Sequence, residues 1–265
     1  MTTTLRPTGP LQQHDDGSLA RSYEVCVNSR PVGGVQLGTV RGQGRTVGTI
    51  RALHVEEADR GRGRGTVAAL AAEEVLRGWR CDRIRISVPA GDDAAAARRL
   101  ATALGYTEHG HILVKDLDGT APEPPPPGLE ILPMTEAESG RLRSADPHAT
   151  RASLPEPPLP GGPATEDTAL HVAVRDGVRL GHLLTGRREL APGEWVPCVR
   201  QIAVTEAERH KGYRRALLHF AEQTARSSGA RRLALRVAPD AAPPRTPYSA
   251  LGYRPALIDY EKQLY

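Results

Sequence analysis

The sequence predicts an α/β protein in which two similar domains follow one another along the chain. Its 265 residues exceed the length of one ordinary domain, so two domains are expected. Alternating strand patterns and Ala/Leu-rich helical patterns occur in a similar order in both halves. A run of four prolines lies between the halves and predicts a stiff linker. These observations predict domains at 1–118 and 129–265, joined by the linker 119–128.

In the first half, alternation of polar and apolar residues predicts strands, and an Ala/Leu/Glu-rich run predicts the main helix. A glycine-rich loop precedes that helix. The predicted elements are, in order, strands 22–28, 35–40 and 47–55, a helix 66–79, a strand 83–88, a helix 94–104 and a strand 111–117.

The second half shows similar signals after an additional helix. Thr135 and Glu138 have the spacing of a capping box, which predicts a helix over 135–144. The other predicted elements are a strand that opens at Leu132, strands 169–174, 180–184 and 196–204, a helix 215–228, a strand 233–237, a short helix 248–251 and a strand 258–264.

The two halves match at a nearly constant offset, which indicates duplication of one domain. Val55 matches Val204 and Arg60 matches Arg209, both 149 residues further along the chain. Leu104-Gly105-Tyr106 matches Leu251-Gly252-Tyr253 and Lys115 matches Lys262, both 147 residues further along.

Composition and charge exclude several functional classes. The net charge of +4 is modest and no aromatic residues interleave with the arginines, which argues against nucleic-acid binding. Cys26, Cys81 and Cys198 are odd in number and widely spaced, so neither a disulfide framework nor a metal site is expected. The chain has no apolar signal core and no run near ~18 apolar residues. We therefore expect a cytoplasmic protein with no membrane association.

The motif that carries chemistry is a Gly/Arg loop between a strand and an Ala-rich helix. Glycines allow a phosphate to approach the backbone, and the N-terminus of the helix presents free N–H groups. Arginine side chains would add positive charge at the rim of the same site. By itself such a run is also compatible with a plain surface loop. The loop residues are Arg60, Gly61, Arg62, Gly63, Arg64, Gly65 and Thr66.

The order of strand, loop, helix and strand, followed by Leu-Gly-Tyr, resembles the GNAT acetyltransferase superfamily over most of both halves. The resemblance implies two tandem GNAT domains, each a mixed, mostly antiparallel twisted sheet flanked by helices. It also implies that acetyl-CoA, or another acyl-CoA, binds with its pyrophosphate on the loop from Arg60 to Thr66. The strand before the loop is expected to splay from its neighbour, so that Leu53 and Val55 contact pantetheine and thioester through their backbone.

The corresponding loop of the second half departs from the family pattern. By the same resemblance, the residues that would contact acyl-CoA there are Val204, Arg209, Lys211, Gly212 and Arg214. Arg214 stands where the family has Gly or Ala. Its side chain would either obstruct the diphosphate or point outward and reinforce its binding, and the sequence leaves both alternatives open.

The catalytic candidates are Tyr248 and His54. Tyr248 lies on the helix before Leu-Gly-Tyr, where the resemblance implies a tyrosine that protonates the departing CoA thiolate, and the first half lacks it. The alternative is a packed tyrosine that anchors the helix. His54 is a candidate general base, although it also fits a purely structural role. Neither splayed strand contains Asp or Glu.

The resemblance implies an N-acyltransferase that acetylates an unidentified amine, either a small molecule or a peptide. The rival hypothesis is a non-catalytic acyl-CoA-binding sensor or scaffold with degenerate GNAT domains. The first half is too short before its Tyr23 strand for the two helices that wall the acceptor cleft in this family, whereas the second has room between 135 and 168. Acyl-chain preference and the choice between monomer and homodimer stay open.

Overall fold

The computed structural model describes residues 2–42, 45–118, 125–135, 168–239 and 248–264. These residues form two compact units. The first unit contains the described residues up to His109 together with those from Leu257 onward. The second unit contains the described residues from Gly110 to Ala256. Each unit therefore draws on both halves of the sequence.

The secondary structure follows the predicted order closely. Among the described residues, the α-helices are α1 (Arg64–Gly78), α2 (Ala95–Ala103) and α3 (Tyr213–Ser227). The strands are β1 (Thr3–Pro7), β2 (Gln12–Gln13), β3 (Leu19–Val27), β4 (Arg30–Gly42), β5 (Arg45–Val55), β6 (Arg83–Pro89), β7 (Thr107–Asp116), β8 (Glu130–Pro133), β9 (Ala169–Arg175), β10 (Val178–Ala191), β11 (Glu194–Val204), β12 (Arg232–Val237) and β13 (Arg254–Gln263).

Each unit has one mixed, mostly antiparallel sheet, as the fold prediction required. In the first unit the strand order is β1-β3-β4-β5-β6-β13, with β2 paired to β3, and only β5 and β6 run parallel. In the second unit the order is β7-β12-β11-β10-β9-β8, and only β11 and β12 run parallel. The helices pack on these sheets through fully buried side chains, such as Leu76 of α1 and Leu217 of α3.

The last strand of each half of the sequence belongs to the unit built mainly from the other half. β7 pairs with β12 in the second unit, and β13 pairs with β6 in the first. The compact units thus differ from the linear division at 119–128 by a reciprocal exchange of strands. The division into domains at 1–118 and 129–265 remains a prediction.

A partly buried lysine–glutamate pair connects each exchanged strand to a helix of its unit. Lys115 of β7 donates to both carboxylate oxygens of Glu222 at 2.8 and 2.9 Å, and Tyr253 donates to the same carboxylate at 3.1 Å. Lys262 of β13 donates to Glu73 of α1 at 2.6 Å. Glu73 and Glu222 are 149 residues apart, the offset of the sequence repeat. Both units therefore hold the exchanged strand by the same contact.

Two strands were not predicted, and one predicted helix cannot be compared. β1 is a short polar segment that becomes a strand by pairing with β3, and β2 has only two residues. The helix predicted over 135–144 and the room for acceptor helices up to 168 fall outside the described residues, apart from Thr135 and Thr168 themselves. The short helix near Leu251 is a single turn, Ser249–Leu251.

Candidate functional site

The parallel strands of each unit separate part-way along their length. β5 pairs with β6 up to Ile50 opposite Ile86, and then continues to Val55 without pairing to it. β11 pairs with β12 only at Cys198 and Val199, and continues to Val204. Each unit therefore has a splayed strand that still pairs with its antiparallel neighbour but faces an opening on the side of its parallel neighbour.

A bulge redirects the backbone of β5 just beyond the point of separation. Gly34 pairs with His54 and Gln36 with Arg51, so the two residues Ala52 and Leu53 face one residue of β4. Ala52 has a positive φ of 49°, which is unusual for a side-chain-bearing residue. Such an extra residue bends a strand and turns its peptide groups away from the regular ladder. In β11 the irregularity lies at Arg200 instead, with no positive φ.

The glycine loop of the first unit has the geometry of an anion-binding turn. Gly61 and Gly63 both have φ of 73°, a conformation that favours glycine, and a Cβ on either would meet no atom within 4 Å. The first intrahelical bond of α1 runs from the Val67 N–H to the Gly63 carbonyl at 3.2 Å. The N–H groups of the residues before Val67 in α1 thus point out of the helix start, where a phosphate can accept them.

The three arginines of this loop have different roles. Arg62 is exposed, and Arg60 is exposed with its Nε donating to the Val55 carbonyl at 2.8 Å. Arg64 is instead buried, with 6% of its side chain exposed, and it pairs with buried Asp59. Arg30 donates to the same carboxylate at 2.8 and 3.0 Å. Charge at the rim of the loop stays a prediction for the exposed Arg60 and Arg62, whereas Arg64 is buried and its side chain anchors the start of α1 to Asp59.

The loop of the second unit keeps the backbone shape with different side chains. His210, at the position of Gly61, has φ of 66°, and Gly212 has φ of 84° at the start of α3. Tyr213, at the position of Arg64, is buried, and its hydroxyl accepts a hydrogen bond from Arg175 at 3.0 Å. Arg214 is exposed. Its side chain therefore points outward rather than into the core.

Two cations flank this second loop. Lys211 donates to Glu208 at 3.1 Å, and an Arg209 nitrogen lies 3.5 Å from a Glu206 oxygen. More than half of each basic side chain is exposed. Each of these two cations therefore has a carboxylate beside it.

The two catalytic candidates lie in different units. Tyr248 belongs to the second unit, is 8% exposed and packs edge-on against Tyr253, with ring centroids 6.4 Å apart. His54 belongs to the first unit and is exposed, with Nδ1 3.1 Å from the Ala52 carbonyl and Nε2 3.9 Å from Glu56.

The sequence analysis did not identify Arg51 and Arg200 as site residues. Each occupies the first position beyond the last parallel pair of its unit.

Comparison with known families decides the classification. A family model described as the Acetyltransferase (GNAT) family matches residues 4–106 and again residues 142–253, together most of the chain. The chain belongs to the GNAT family. Both matches fall on the two halves in which the repeat was found, so this GNAT protein is a tandem one, as predicted. A comparison with curated protein sequences found no significant match.

Solved structures share the fold at low sequence identity. A GCN5-related N-acetyltransferase from Sphaerobacter thermophilus has a TM-score of 0.56 at 18% identity, over 91% of this chain and 80% of that one. A tandem GNAT protein from the clavulanic acid biosynthesis pathway has a TM-score of 0.53 at 18% identity, over 95% and 85%. A glucosamine N-acetyltransferase region of a fungal multi-domain β-N-acetylglucosaminidase gives 0.56 at 17%, where this chain spans only 33% of the fungal chain.

Two further observations concern the described residues alone. Within them, no helix is long and apolar enough to cross a membrane. The same residues contain no group of three or more His, Cys, Asp or Glu side chains placed to hold a metal ion.

Proposed function

We propose that this GNAT protein transfers an acyl group from acyl-CoA to an amine, and that its first unit binds the acyl-CoA. The observation that carries the proposal is the combination, in one unit, of a splayed strand and an open glycine loop at a helix start. Family membership favours acyl transfer over a purely non-catalytic binding role.

Successive parts of the first unit's site would bind successive parts of acyl-CoA, from the pyrophosphate to the thioester. The loop N–H groups from Gly61 to Thr66 would hold the pyrophosphate, with Arg60 and Arg62 as exposed cations beside it. Backbone groups of Leu53 and Val55, on the splayed part of β5, would hold pantetheine and the thioester carbonyl. Arg64 and Asp59 would keep the loop in this shape, because both are buried and paired.

Acyl-CoA would supply the activated acyl group. The protein would exclude water and hold the amine nitrogen close to the carbonyl carbon of the thioester. N–H groups near the bulge of β5 would stabilise the oxyanion that develops on the carbonyl oxygen. The new C–N bond replaces the C–S bond, the sulfur leaves as a thiolate, and the amine loses a proton. His54 is the candidate acceptor of that proton in the first unit.

The second unit is proposed as a further, weaker acyl-CoA site that involves Val204, Arg209, Lys211, Gly212 and Arg214. It has the splay, a loop of the same backbone shape, and Tyr248 as the candidate acid for the thiolate. Arg214 is exposed at the start of α3, where its guanidinium would lie beside the diphosphate. The acidic partners of Lys211 and Arg209 weaken its electrostatic attraction.

Calorimetric titration with acetyl-CoA tests these assignments on three proteins. Gly65→Arg copies the second loop's residue into the first, and Arg214→Gly makes the reciprocal change. If the first unit is the main site, the tight binding step weakens by about tenfold or more in Gly65→Arg and is unchanged in Arg214→Gly. Loss of the tight step only in Arg214→Gly would move the main site to the second unit. Absence of any binding to the unsubstituted protein would refute the proposal.

A further inference from the structure

A glycine lies opposite the end of the splayed strand in each unit. Gly33 of β4 is opposite Val55 of β5. In the second unit, Gly181 of β10 is opposite Val204 of β11. Because Val55 and Val204 match in the sequence repeat, the two glycines occupy the same place in the duplicated fold. The sequence analysis identified neither of them.

Neither glycine can carry a side chain unless the splayed strand moves. A Cβ on Gly33 would lie well within 3.0 Å of the His54 carbonyl oxygen, a separation that Cβ atoms essentially never show. A Cβ on Gly181 would lie equally close to the Ala203 carbonyl oxygen. In both units the obstacle is backbone, which cannot rotate aside as the end of a flexible side chain can. The residue that supplies the carbonyl differs between the units, so the contact does not depend on its side chain.

This close approach fixes the direction of the next N–H group in β5. The carbonyl and the N–H of a trans peptide point in opposite directions, and none of the described peptide bonds is cis. The His54 carbonyl lies against Gly33 of β4, so the Val55 N–H points away from β4 and into the opening of the splay. The following N–H, that of Glu56, donates to the Val32 carbonyl of β4 at 2.8 Å, as the alternation along an extended strand requires.

The second unit has the same backbone arrangement. The Ala203 carbonyl lies against Gly181, and the Thr205 N–H donates to the Leu180 carbonyl at 2.8 Å. The N–H of Val204, between these two groups, therefore points into the second splay. The same geometry thus occurs twice in the chain, with different side chains around it.

In the first unit, the Val55 N–H points to the side on which the glycine loop begins. The Val55 carbonyl accepts a hydrogen bond from Nε of Arg60 at 2.8 Å. In an extended strand the N–H and the carbonyl of one residue point to the same side. The N–H therefore faces the region in which acyl-CoA is proposed to bind.

We infer that Gly33 and Gly181 are positioning residues, and that each directs the N–H of the valine opposite it at the thioester carbonyl of a bound acyl-CoA. The inference rests on the proposed function and extends it to the neighbouring strand. A fixed N–H donor stabilises the charge that develops on the carbonyl oxygen. A Cβ on the glycine would displace the facing carbonyl and rotate its peptide, and a hydrogen bond weakens steeply as its angle departs from linearity.

The test observes the thioester carbonyl directly and needs no acceptor amine. Acetyl-CoA labelled with carbon-13 at the carbonyl is added to the full chain, and its NMR signal is recorded. A hydrogen bond to the carbonyl oxygen withdraws electron density from the carbon and moves this signal downfield. The variants are Gly33→Ala, Gly181→Ala and Gly34→Ala. Gly34 is the matched control, because the atom closest to a Cβ there is Cε1 of the exposed His54 side chain, at 3.0 Å, which can move aside.

We expect the carbonyl signal of bound acetyl-CoA to lie downfield of the free signal. It should return towards the free position in Gly33→Ala but not in Gly34→Ala. Gly181→Ala makes the same change in the other unit, so it should move only the signal of acetyl-CoA bound there. An unchanged signal in both Gly33→Ala and Gly181→Ala, or an equal movement in Gly34→Ala, would overturn the inference.

Calorimetry separates the loss of this hydrogen bond from a general distortion of the site. Acetyl-CoA should bind about three- to tenfold more weakly to the unit that carries the alanine. CoA lacks the carbonyl and should bind as it does to the unsubstituted protein. An equal loss of affinity for CoA would mean that the alanine distorts the whole site, which contradicts the inference.

A measurement on the unsubstituted protein decides the question if the alanine variants do not fold. With nitrogen-15 labelling, the amide proton of Val55 or of Val204 should shift downfield on addition of acetyl-CoA but not of CoA. No such shift at either valine would reject the inference.

Failure of the inference differs from failure of the proposed function. If acetyl-CoA binds but its carbonyl signal responds to neither glycine, the acyl-CoA site stands and the role of the glycines is lost. If acetyl-CoA does not bind to the unsubstituted protein, both are lost.

Discussion

Substitution of Glu222 tests whether a buried ion pair holds the exchanged strand β7 in the second unit. Glu222 lies on α3 with 1% of its side chain exposed, and it accepts hydrogen bonds from Lys115 and Tyr253. Burial, and then the negative charge of Glu222, raise the pKa of Tyr253 far above its ordinary value of 10, so the phenol stays a neutral donor. The change Glu222→Gln keeps the shape and removes the charge.

The expected cost follows from the burial of the two partners. Removing one partner of a fully buried ion pair costs about 3–5 kcal/mol, because the remaining charge is left in a poor solvent. Lys115 is 21% exposed, so water solvates part of its ammonium group. The amide of the variant also still accepts one hydrogen bond. We therefore expect the free energy of unfolding of the second unit to fall by about 2–3 kcal/mol.

Each half of the sequence contains one tryptophan, which makes the assay specific to a unit. Trp79 belongs to the first unit and Trp195 to the second, so urea unfolding in a Trp79→Phe background reports on the second unit. The matched control is Asp116→Asn. Asp116 follows Lys115 on β7, and the change breaks its exposed ion pair with Arg254. That loss should be at most about 0.5 kcal/mol.

If Glu222→Gln were no more destabilising than Asp116→Asn, the ion pair would not hold β7 in place. A double-mutant cycle between Glu222→Gln and Lys115→Met with no coupling energy would lead to the same conclusion. In the expected case, Lys115→Met alone costs at least as much as Glu222→Gln, because it leaves the more deeply buried carboxylate without its cation.

Two other predictions concern acid stability and catalysis. Burial raises the pKa of Glu261, but the hydrogen bond and charge of Arg85 outweigh this and hold the pKa below its ordinary value of 4.5. The stability that this group contributes is thus present above about pH 4.5 and lost as pH falls through the folded-state pKa. Between about pH 6 and about pH 3, the free energy of unfolding should therefore fall less in Glu261→Gln than in the unsubstituted protein, as measured by urea titration. If Tyr248 protonates the thiolate at the second unit's site, Tyr248→Phe made in the Gly65→Arg background, where the first unit's site is weakened, should lower the remaining kcat about 100-fold or more with acetyl-CoA affinity unchanged. A fall in thermal stability with unaltered kcat would show that Tyr248 is structural instead.

Local sequence patterns were sufficient to predict most of the elements that build the candidate site. Alternation located β5, and the run of glycines before an Ala-rich segment located the loop and α1. These features are readable because strand and helix periodicity and the left-handed freedom of glycine act over a few residues. The duplication was readable for a related reason, since a repeated domain repeats its short-range signals at a fixed offset.

Only the tertiary structure decided which similar residues have which role. Arg60, Arg62 and Arg64 look alike in the sequence, but Arg64 alone is buried, because Asp59 lies next to its guanidinium. The end of strand pairing between β5 and β6 at Ile50, which creates the splay, is likewise visible only in the folded chain.

The exchange of β7 and β13 could not be predicted from the sequence. The two strands carry lysines at matching positions, and each half offers a matching glutamate, so local patterns fit either assignment. The sequence by itself determined the duplicated GNAT domains and their loops, because those depend on contacts between neighbouring residues. Which half supplies the last strand of each sheet depends on pairing between segments more than 100 residues apart, such as Lys115 with Glu222, and only the folded chain decides such contacts.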